Sequence, residues 1–382
     1  MTLNPLVMIY LDYNSTTPVL PAVREAMWPF FNEEWGNPSS IYRLGARAKS
    51  AIEVARAQVA ALVGADSTEI IFTSCATEAN NAAINSALLA APQKRHVVTS
   101  RVEHSSVLHY CEGLAKQGHS VTFLSVSRNG LVDLEDLEKA IQEETAVVSL
   151  MWANNETGVI SPVREIGEIC AKRGVLFHCD AVQAVGKMPV SFSEMPIDFL
   201  SISGHKLGAP KGIGALVVRH SVPFHPLIVG GKQESGRRGG TESVPLIVGF
   251  GAACEIASKQ SLTAWKRVEA MRDELQTNLL IMLRGAYSNG GSAPRLPNTL
   301  NIGIAGIDSD ALVTYCDRNG VCVSSGSACM ESAIAPSHVL LAMNGSHKQA
   351  SEAVRVSLGL ETKSEELDRL PVLLRQFVDL SL

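Results

Sequence analysis

A lysine lies directly after an apolar run, in the segment Ser-Gly-His-Lys at residues 203–206. The preceding residues 199–202, Phe-Leu-Ser-Ile, are typical of a buried strand. An ammonium is costly to desolvate, and partial burial of a lysine lowers its pKa toward the range in which the amine is a nucleophile. Lys206 could then form a Schiff base with an aldehyde. Pyridoxal phosphate (PLP) carries an aldehyde and also a phosphate, for which Ser203 and His205 are candidate ligands.

A carboxylate ends a second apolar run. PLP enzymes need an anion beside the pyridine nitrogen, because the protonated ring is the electron sink. Asp180 follows the run at residues 175–178, and ligands of open α/β sheets gather at the carboxyl ends of strands. Gln183 lies three residues later and could reach the phenolic oxygen of the cofactor. Asp180 alone could be a helix N-cap, but its pairing with Lys206 at another strand end favours the cofactor role.

The turn at residues 73–78, Thr-Ser-Cys-Ala-Thr-Glu, lies between a predicted strand and a predicted helix. Main-chain N–H groups at a helix N-terminus, with hydroxyls nearby, bind phosphate. We therefore predict that Ala76 and Thr77 contact the phosphate from a free first turn of the helix, and that Ser203 and His205 complete the cradle. Capping residues precede most helices, however, and a lone histidine is more often structural.

Two further strand ends carry polar residues. His104 follows residues 96–100, and its ring could stack on the cofactor and shuttle protons, although a single histidine is more often structural. Asn155 lies in the loop Trp-Ala-Asn-Asn-Glu-Thr-Gly at residues 152–158, after the apolar run at residues 146–150. Asn and Gly also form ordinary turns, but a loop at the carboxyl end of a strand favours contact with the substrate.

A second reactive centre is Cys329, in a stretch at residues 324–333 that is rich in Ser, Ala and Gly. This composition is typical of a mobile loop, where a thiol is exposed and can act as a nucleophile. Free thiols are only a few per cent thiolate at pH 7, so a nearby base or cation is needed. The alternative is an incidental surface thiol. The remaining cysteines are predicted to be small buried hydrophobes, and their spacing predicts neither disulfides nor a metal site.

Arg355 interrupts the strand-like run at residues 353–358. A guanidinium is the natural bidentate partner of a carboxylate, so Arg355 is a candidate ligand for the carboxylate of an amino-acid substrate. The alternative is a solvent-facing residue on a half-buried strand.

Alternating helical and strand patterns surround these residues, which indicates an α/β fold with a mostly parallel sheet covered on both faces. Residues 15–255 are predicted to form the large cofactor-binding domain. One long helical stretch at residues 246–284 is expected to lead out of it. Residues 1–14 and 256–382 are predicted to form a smaller α+β domain that carries Cys329.

The composition limits the class of protein. The 382 residues are 46% hydrophobic and 19% charged, with a formal net charge of −5, which fits a globular chain with a large core. No basic block, transmembrane-length apolar run or signal peptide stands out, so we expect a cytoplasmic protein that binds neither membranes nor nucleic acid directly.

Short segments through nearly the whole chain resemble the cysteine desulfurases of the NifS/IscS type, within the class V aminotransferase-like PLP enzymes. The resemblance implies a PLP-dependent transferase of fold type I, with a seven-stranded sheet in the large domain. The matching segments lie at residues 10–14, 16–18, 36–40, 72–78, 103–104, 154–158, 178–183, 203–206, 210–212, 239–242, 324–329 and 355–357.

The resemblance also implies roles at the cofactor. Lys206 would hold PLP and move the proton of the substrate α-carbon, Asp180 and Gln183 would tune the ring, and His104 would stack on it. The phosphate contacts would be Ala76, Thr77, Ser203, His205 and, reaching the partner's phosphate in a homodimer, Thr241.

The implied reaction takes sulfur from L-cysteine. Asn155 and Arg355 would hold the substrate, and Cys329 would attack its sulfur, leaving alanine and a persulfide for an acceptor such as an iron–sulfur scaffold. Selenocysteine lyase, aminotransferase and a non-catalytic assembly scaffold are the alternatives, and an aminotransferase does not require Cys329. Ser15, Ser243 and Met330-Glu331 depart from the family pattern and leave the acceptor open among iron–sulfur, tRNA, DNA and nitrogenase-type pathways.

Overall fold

The computed structural model describes residues 8–260, 262–325 and 336–381. Its strands, in chain order, are β1 (Ile9–Tyr10), β2 (Ile70–Thr73), β3 (His96–Ser100), β4 (Ser120–Leu124), β5 (Thr145–Ser149), β6 (Leu176–Asp180), β7 (Phe199–Ser203), β8 (Gly214–Val218), β9 (Ala286–Ser288), β10 (Thr299–Ile304), β11 (Val321–Cys322) and β12 (Ala353–Ser357). The α-helices are α1 (Pro21–Met27), α2 (Pro29–Asn32), α3 (Arg43–Val63), α4 (Ala76–Ala90), α5 (Ser105–Lys116), α6 (Leu134–Ala140), α7 (Val163–Arg173), α8 (Val244–Ser258), α9 (Leu262–Met282), α10 (Ser309–Arg318), α11 (His338–Asn344), α12 (His347–Ala350), α13 (Ser364–Leu367) and α14 (Arg369–Ser381).

The central sheet has seven strands in the order β2-β8-β7-β6-β5-β3-β4. All neighbouring pairs are parallel except those of β8, which runs antiparallel to both β2 and β7. Because β8 is the reversed strand, its first residue, Gly214, pairs with the last residues of β2 and β7, Thr73 and Ser203. The carboxyl ends of the other strands therefore share one edge, as an α/β fold with a mostly parallel sheet requires. The predicted fold class is confirmed.

Most strands of the central sheet are buried on both faces because helices cover the sheet. β3, β5, β7 and β8 contain only buried residues. Helix α3 packs along α8, and this approach needs a glycine, since a Cβ on Gly251 would lie 2.6 Å from the Cα of Ala55. Polar residues inside the sheet are paired: the two ring nitrogens of His178 contact the hydroxyls of Ser149 at 2.8 Å and Ser201 at 2.9 Å.

A second hydrophobic core surrounds a three-stranded antiparallel sheet of order β12-β10-β9. The first described residues join it: β1 pairs in parallel with β11, and Asp12 bridges to Ser357. The chain thereby passes from this core into the edge of the central sheet within a few residues. The boundaries at residues 14–15 and 255–256 stay predictions.

Two expected elements differ in length. The stretch at residues 246–284 forms two helices, because the N–H of Lys259 turns back to the carbonyl of Ile256 at 3.2 Å and tightens the end of α8. The sequence at residues 320–324 also predicts a strand, but only β11 forms there, followed by a single bridge from Ser324 to Arg355. Within the described ranges, no helix is both long and apolar enough to span a bilayer.

Candidate active site

A cavity of about 200 Å³ lies at the carboxyl edge of the central sheet. Most of the sequence-predicted site residues line it: Ala76, Thr77, His104, Asn155, Asp180, Gln183, Ser203, His205, Lys206 and Arg355. Thr241 does not; it is exposed and lines a separate cavity with Ser74 and Arg238. Cys329 lies outside the described residues.

Lys206 ends a short 3-10 turn, Gly204–Lys206, that follows β7. The turn is tight: a Cβ on Gly204 would lie 2.8 Å from a side-chain carbon of Ile213. The Lys206 Nζ donates to the main-chain carbonyls of Asn14 and Ser15, both at 2.6 Å. The N-terminal segment therefore holds the amine at the edge of the cavity.

Asp180 is the last residue of β6 and is only 6% exposed. Its Oδ1 accepts the N–H of Val182 at 3.0 Å, and its Oδ2 accepts from the Asn80 amide at 2.8 Å. Both of these donors are neutral, and no salt bridge to Asp180 occurs within the described ranges. A buried carboxylate with neutral donors favours a positively charged group in the cavity, such as a protonated pyridine nitrogen.

His104 is the N-cap of α5 and lines the cavity beside Asp180. Its Nδ1 accepts the N–H of Ser106 at 3.2 Å, and the Ser106 hydroxyl in turn lies 2.8 Å from the Asn80 amide. Burial is the largest influence on His104 and lowers its pKa, while the nearby Asp180 acts in the opposite direction. With Nδ1 accepting, the neutral His104 ring carries its proton on Nε2.

The residues predicted to bind the phosphate lie where β2, β7 and β8 meet helix α4. Gly214 is required there, because a Cβ on it would lie 2.9 Å from the carbonyl carbon of Cys75 and 3.1 Å from the amide of Ala76. Ser203 is buried, and burial lowers the pKa of His205 to about 4, with Lys206 and Lys211 acting in the same direction.

The expectation of a free first turn in α4 is confirmed among the described residues, because its N-cap, Cys75, forms no side-chain cap hydrogen bond. Glu78 reaches back to accept the N–H of Ser74 at 2.8 Å, and it pairs with Arg238 at 2.9 Å. Thr77 is exposed at this turn.

Arg355 is buried in β12 at 4% exposure, so the alternative of a solvent-facing residue is wrong. One of its terminal nitrogens donates to Asp12 at 2.7 Å, and the other donates to the main-chain carbonyl of Asn155 at 3.1 Å. Its Nε is buried without an acceptor among the described residues. A carboxylate in the cavity would supply an acceptor to this guanidinium.

Asn14 joins parts of the site that sequence reasoning left separate. Its amide donates to the Thr299 hydroxyl at 2.8 Å and to the Asn155 carbonyl at 3.1 Å, while its own carbonyl accepts from Lys206 and from Gln183. Asn14 stood in one of the resembling segments, but no local pattern indicated these contacts. The buried Lys187, which also contacts Asn14, was missed as well.

Glu103, next to His104, is a further buried group that received no role. Its Oε1 accepts from the Ser100 hydroxyl at 2.7 Å and from the Met151 N–H at 3.2 Å. Burial raises the pKa of Glu103 to about 8, against these hydrogen bonds.

The prediction that every cysteine other than Cys329 is buried is wrong at two positions. Cys75, the N-cap of α4, is half-buried and lines the cavity, and Cys322 in β11 is also half-buried. Cys75 precedes the first turn of a helix and Cys322 ends a two-residue strand, and at such positions apolar neighbours do not ensure burial.

The residues that flank positions 326–335 contact the site from both directions. The N–H of Arg355 donates to the carbonyl of Ser324, and the N–H of Ser324 donates to the carbonyl of Arg355 at 3.1 Å. On the other side, the Ser337 hydroxyl donates to Glu156 at 2.6 Å, and the His338 Nε2 lies 2.9 Å from the carbonyl of Glu103.

Comparisons with known proteins agree on one family. The aminotransferase class-V family profile matches residues 9–370. A cysteine desulfurase from Nostoc sp. is 48% identical over 372 residues, which cover 97% of this chain and 93% of that protein. The cysteine desulfurase NifS from Azotobacter vinelandii is 44% identical over 363 residues, covering 95% and 90%. A solved NifS-like protein superposes with a TM-score of 0.90 at 37% identity, covering 98% and 100%.

Proposed function

The chain belongs to the aminotransferase class-V family and is a PLP-dependent L-cysteine desulfurase, and from this premise we propose how its residues divide the work. Sulfur leaves L-cysteine, L-alanine remains, and Cys329 carries the sulfur to an acceptor. The single observation that supports this assignment best is the convergence of Lys206, Asp180 and Arg355 on one cavity.

The described residues fit PLP. Asp180 supplies a buried negative charge without a cationic partner among the described residues, which suits the pyridine nitrogen, and His104 lies beside it. We propose that the phosphate is bound by Ala76, Thr77, Ser203 and His205. The lack of a side chain at Gly214 lets the start of α4 pack closely against β8, which places these residues around one end of the cavity. When bound, the cofactor withdraws electrons from the substrate α-carbon.

Lys206 is proposed to carry the proton at the substrate α-carbon. Its amine lies in the cavity and rests on the carbonyls of Asn14 and Ser15 at 2.6 Å, so it has a defined position whenever it is not bonded to the cofactor. The amine acts as a base in its neutral form. His104, neutral with its proton on Nε2, is proposed to stack on the ring and to donate a proton within the site.

Arg355 and Asn155 are proposed to hold the substrate. The unpartnered Nε of Arg355 favours an additional acceptor, and the carboxylate of L-cysteine is a planar group of the required kind. Asp12 and the carbonyl of Asn155 fix the two terminal nitrogens, so the guanidinium is oriented before the substrate arrives.

Cys329 is proposed to accept the sulfur. Its thiolate attacks the substrate sulfur, a sulfur–sulfur bond forms as the carbon–sulfur bond breaks, and a proton goes to the carbon, giving alanine and a persulfide. The flanking contacts support this role, because Ser324 pairs with Arg355 while Ser337 and His338 contact Glu156 and Glu103 near the cavity. Both ends of the segment that contains Cys329 therefore lie against site residues.

We also propose a homodimer in which Thr241 reaches the phosphate of the partner subunit. Thr241 is exposed and lies away from the cavity of its own chain. Large apolar side chains are exposed on this chain, and a second copy would cover such surface: Trp35 is 68% exposed, Ile41 102% and Val229 82%. A cytoplasmic site of action and an acceptor protein of iron–sulfur cluster assembly complete the proposal; direct contact with nucleic acid is not part of it.

An assay of L-cysteine turnover tests the sulfur-transfer step. We expect the parent protein to form alanine and, with a reductant, sulfide. Cys329→Ala should lose at least about 100-fold in alanine formation, because the nucleophile is gone. The matched control is Cys322→Ala, which removes a half-buried thiol outside the site and should keep parental activity.

The alternatives give different results. An aminotransferase would consume an amino donor and keep its turnover in the Cys329→Ala protein, and a non-catalytic scaffold would fail to bind PLP. Substantial desulfuration by Cys329→Ala would overturn the persulfide assignment.

A further inference from the structure

Lys187 is buried at 5% exposure, in the turn that follows β6. Its Nζ donates to the Asn14 Oδ1 at 2.9 Å and to the Gln183 Oε1 at 2.6 Å. Both acceptors are neutral amides, and Lys187 takes part in no salt bridge within the described ranges. A buried lysine without a carboxylate is uncommon, so its hydrogen bonds need a separate explanation.

The surroundings of Lys187 disfavour a positive charge on it. Burial lowers its pKa well below the usual range, and the nearby Lys206 and Arg355 act in the same direction. A neutral amine has two N–H groups, and the two amide oxygens accept both of them. Lys187 is therefore matched to its neighbours as a neutral hydrogen-bond donor.

Lys187 and the Asn14 carbonyl together set the orientation of the Gln183 amide. An amide side chain has one accepting and one donating end, and only the oxygen can accept from Lys187. The NH2 end then faces the other way, where one hydrogen reaches the Asn14 carbonyl at 3.0 Å and the other remains for the cavity that Gln183 lines.

Asn14 has its orientation fixed in the same way. Its Oδ1 accepts from Lys187 and also from the Asn298 amide at 3.0 Å, so its NH2 points to Asn155 and Thr299. Two donors thus hold Asn14, whereas among the described residues Lys187 alone is recorded as a donor to the Gln183 oxygen. Loss of Lys187 would affect Gln183 more than Asn14.

We propose that Lys187 is a positioning residue that holds the Gln183 amide with its NH2, and not its carbonyl, toward the phenolic oxygen of the cofactor. The inference rests on the proposed contact between Gln183 and that oxygen. A donor there stabilises the negative charge of the phenolic oxygen, and a carbonyl in its place repels it.

The test is the pH titration of the visible absorbance of the PLP-loaded protein. Lys187→Met keeps the length and apolar volume of the side chain but cannot donate, so the Gln183 oxygen loses its recorded donor and only the Asn14 carbonyl still holds the amide. We expect the titration midpoint to rise by about 0.5 to 1 pH unit, the equivalent of one neutral hydrogen bond. Lys172→Met, at an exposed lysine of α7, is the control and should titrate like the parent.

A double-mutant cycle identifies the route of the effect. Gln183→Ala should raise the midpoint by itself, and adding Lys187→Met to it should change nothing more. Lys187→Gln retains an N–H donor and should titrate closer to the parent than Lys187→Met; if the Met variant does not fold, the cycle is run with Lys187→Gln, for which we expect a smaller shift in the same direction.

The outcomes separate this inference from the function on which it rests. A shift in Gln183→Ala with none in Lys187→Met, equal shifts in the Met and Gln variants, or an undiminished effect of Lys187→Met in the Gln183→Ala background would each overturn the role of Lys187 alone. An unshifted Gln183→Ala protein would overturn the Gln183 contact together with it. Failure to release alanine from L-cysteine would overturn the function itself, whatever the titration shows.

Discussion

Lys206 lies between two cavities that differ in character. On one side is the polar cavity of about 200 Å³, with Asp180, His104 and Arg355. On the other is a larger cavity of about 510 Å³, whose lining is mainly apolar and includes Leu20 and Leu207. Lys206 lines both. Chemistry is proposed on the smaller side, so volume is a poor guide to function in this molecule.

The two cavities differ in how their side chains are held in place. In the polar cavity Asp180, Gln183 and Arg355 each have hydrogen-bond partners that fix the direction of the side chain. The larger cavity is lined mainly by apolar side chains, and its glycines are closely packed: a Cβ would lie 2.3 Å from a methyl of Leu207 if added to Gly186, and 2.6 Å from a side-chain carbon of Leu20 if added to Gly208. Activity should therefore be sensitive to the loss of a single polar atom in the smaller cavity. In the larger cavity, only a change in side-chain volume should have an effect.

The largest expected effect is on the polar side. Asp180→Asn removes the charge beside the pyridine nitrogen and should lower kcat/KM for L-cysteine by about 10²–10³-fold. The fold should survive, because the Asn80 Oδ1 has no partner among the described residues and can accept from the new amide after a flip.

The control for this substitution is Asp136→Asn, at an exposed carboxylate of α6, which should keep parental kinetics. The measurement is steady-state alanine formation beside the absorbance spectrum of the cofactor-loaded protein. If Asp180→Asn kept parental kcat/KM, the polar cavity would not depend on its charges, and the contrast between the two sides would fail.

A smaller effect, on the pH dependence of stability, is expected at His178 in β6. Burial lowers the pKa of His178 to about 4 from 6.5, so the folded protein binds its proton less readily than the unfolded chain. The resulting stability is present above pH 6.5 and is lost as the pH falls toward 4. Between pH 7 and pH 5 the loss should be about 2 kcal/mol.

Urea unfolding of the parent and of His178→Gln at both pH values isolates this contribution. The substitution removes the titrating group while keeping a side chain that can hydrogen-bond Ser149 and Ser201. The pH-dependent loss should be smaller in the variant by that amount. Equal losses of unfolding free energy in both proteins would show that protonation of His178 does not account for the loss of stability at low pH.

The smallest effect is expected in the apolar cavity. Ala257→Leu adds volume where Ala257 lines that space, and it should change the free energy of unfolding by no more than about 1.5 kcal/mol. Alanine formation should stay at the parental rate, because no polar contact of Lys206 changes. A loss of activity as large as that of Asp180→Asn would mean that the two sides are not separable.

Residues at strand ends could be predicted because local patterns mark them. Asp180, His104 and Lys206 each follow an apolar run, and a parallel sheet brings such ends to one edge. The fold class followed from the same alternation of strands and helices.

Asn14 and Lys187 could not be predicted from local patterns. Asn14 lies 173 residues from Lys187 and 192 from Lys206, and its contacts depend on which sheets meet, which periodicity does not reveal. The orientation of an amide also has no sequence signal. The break between α8 and α9 was missed because a helical pattern continues across it.

The contacts of the N-terminal segment have a consequence for the order in which the protein matures. Asp12 pairs with Arg355 and the Asn14 N–H with Ser357, each 343 positions away in the chain. On the ribosome, where a chain emerges from its N-terminus, the strands of the central sheet are exposed long before these partners exist. The site is therefore completed only after residues 355–357 have been synthesised, and a nascent chain that already contains Lys206 still lacks Arg355 and its contact with Asp12.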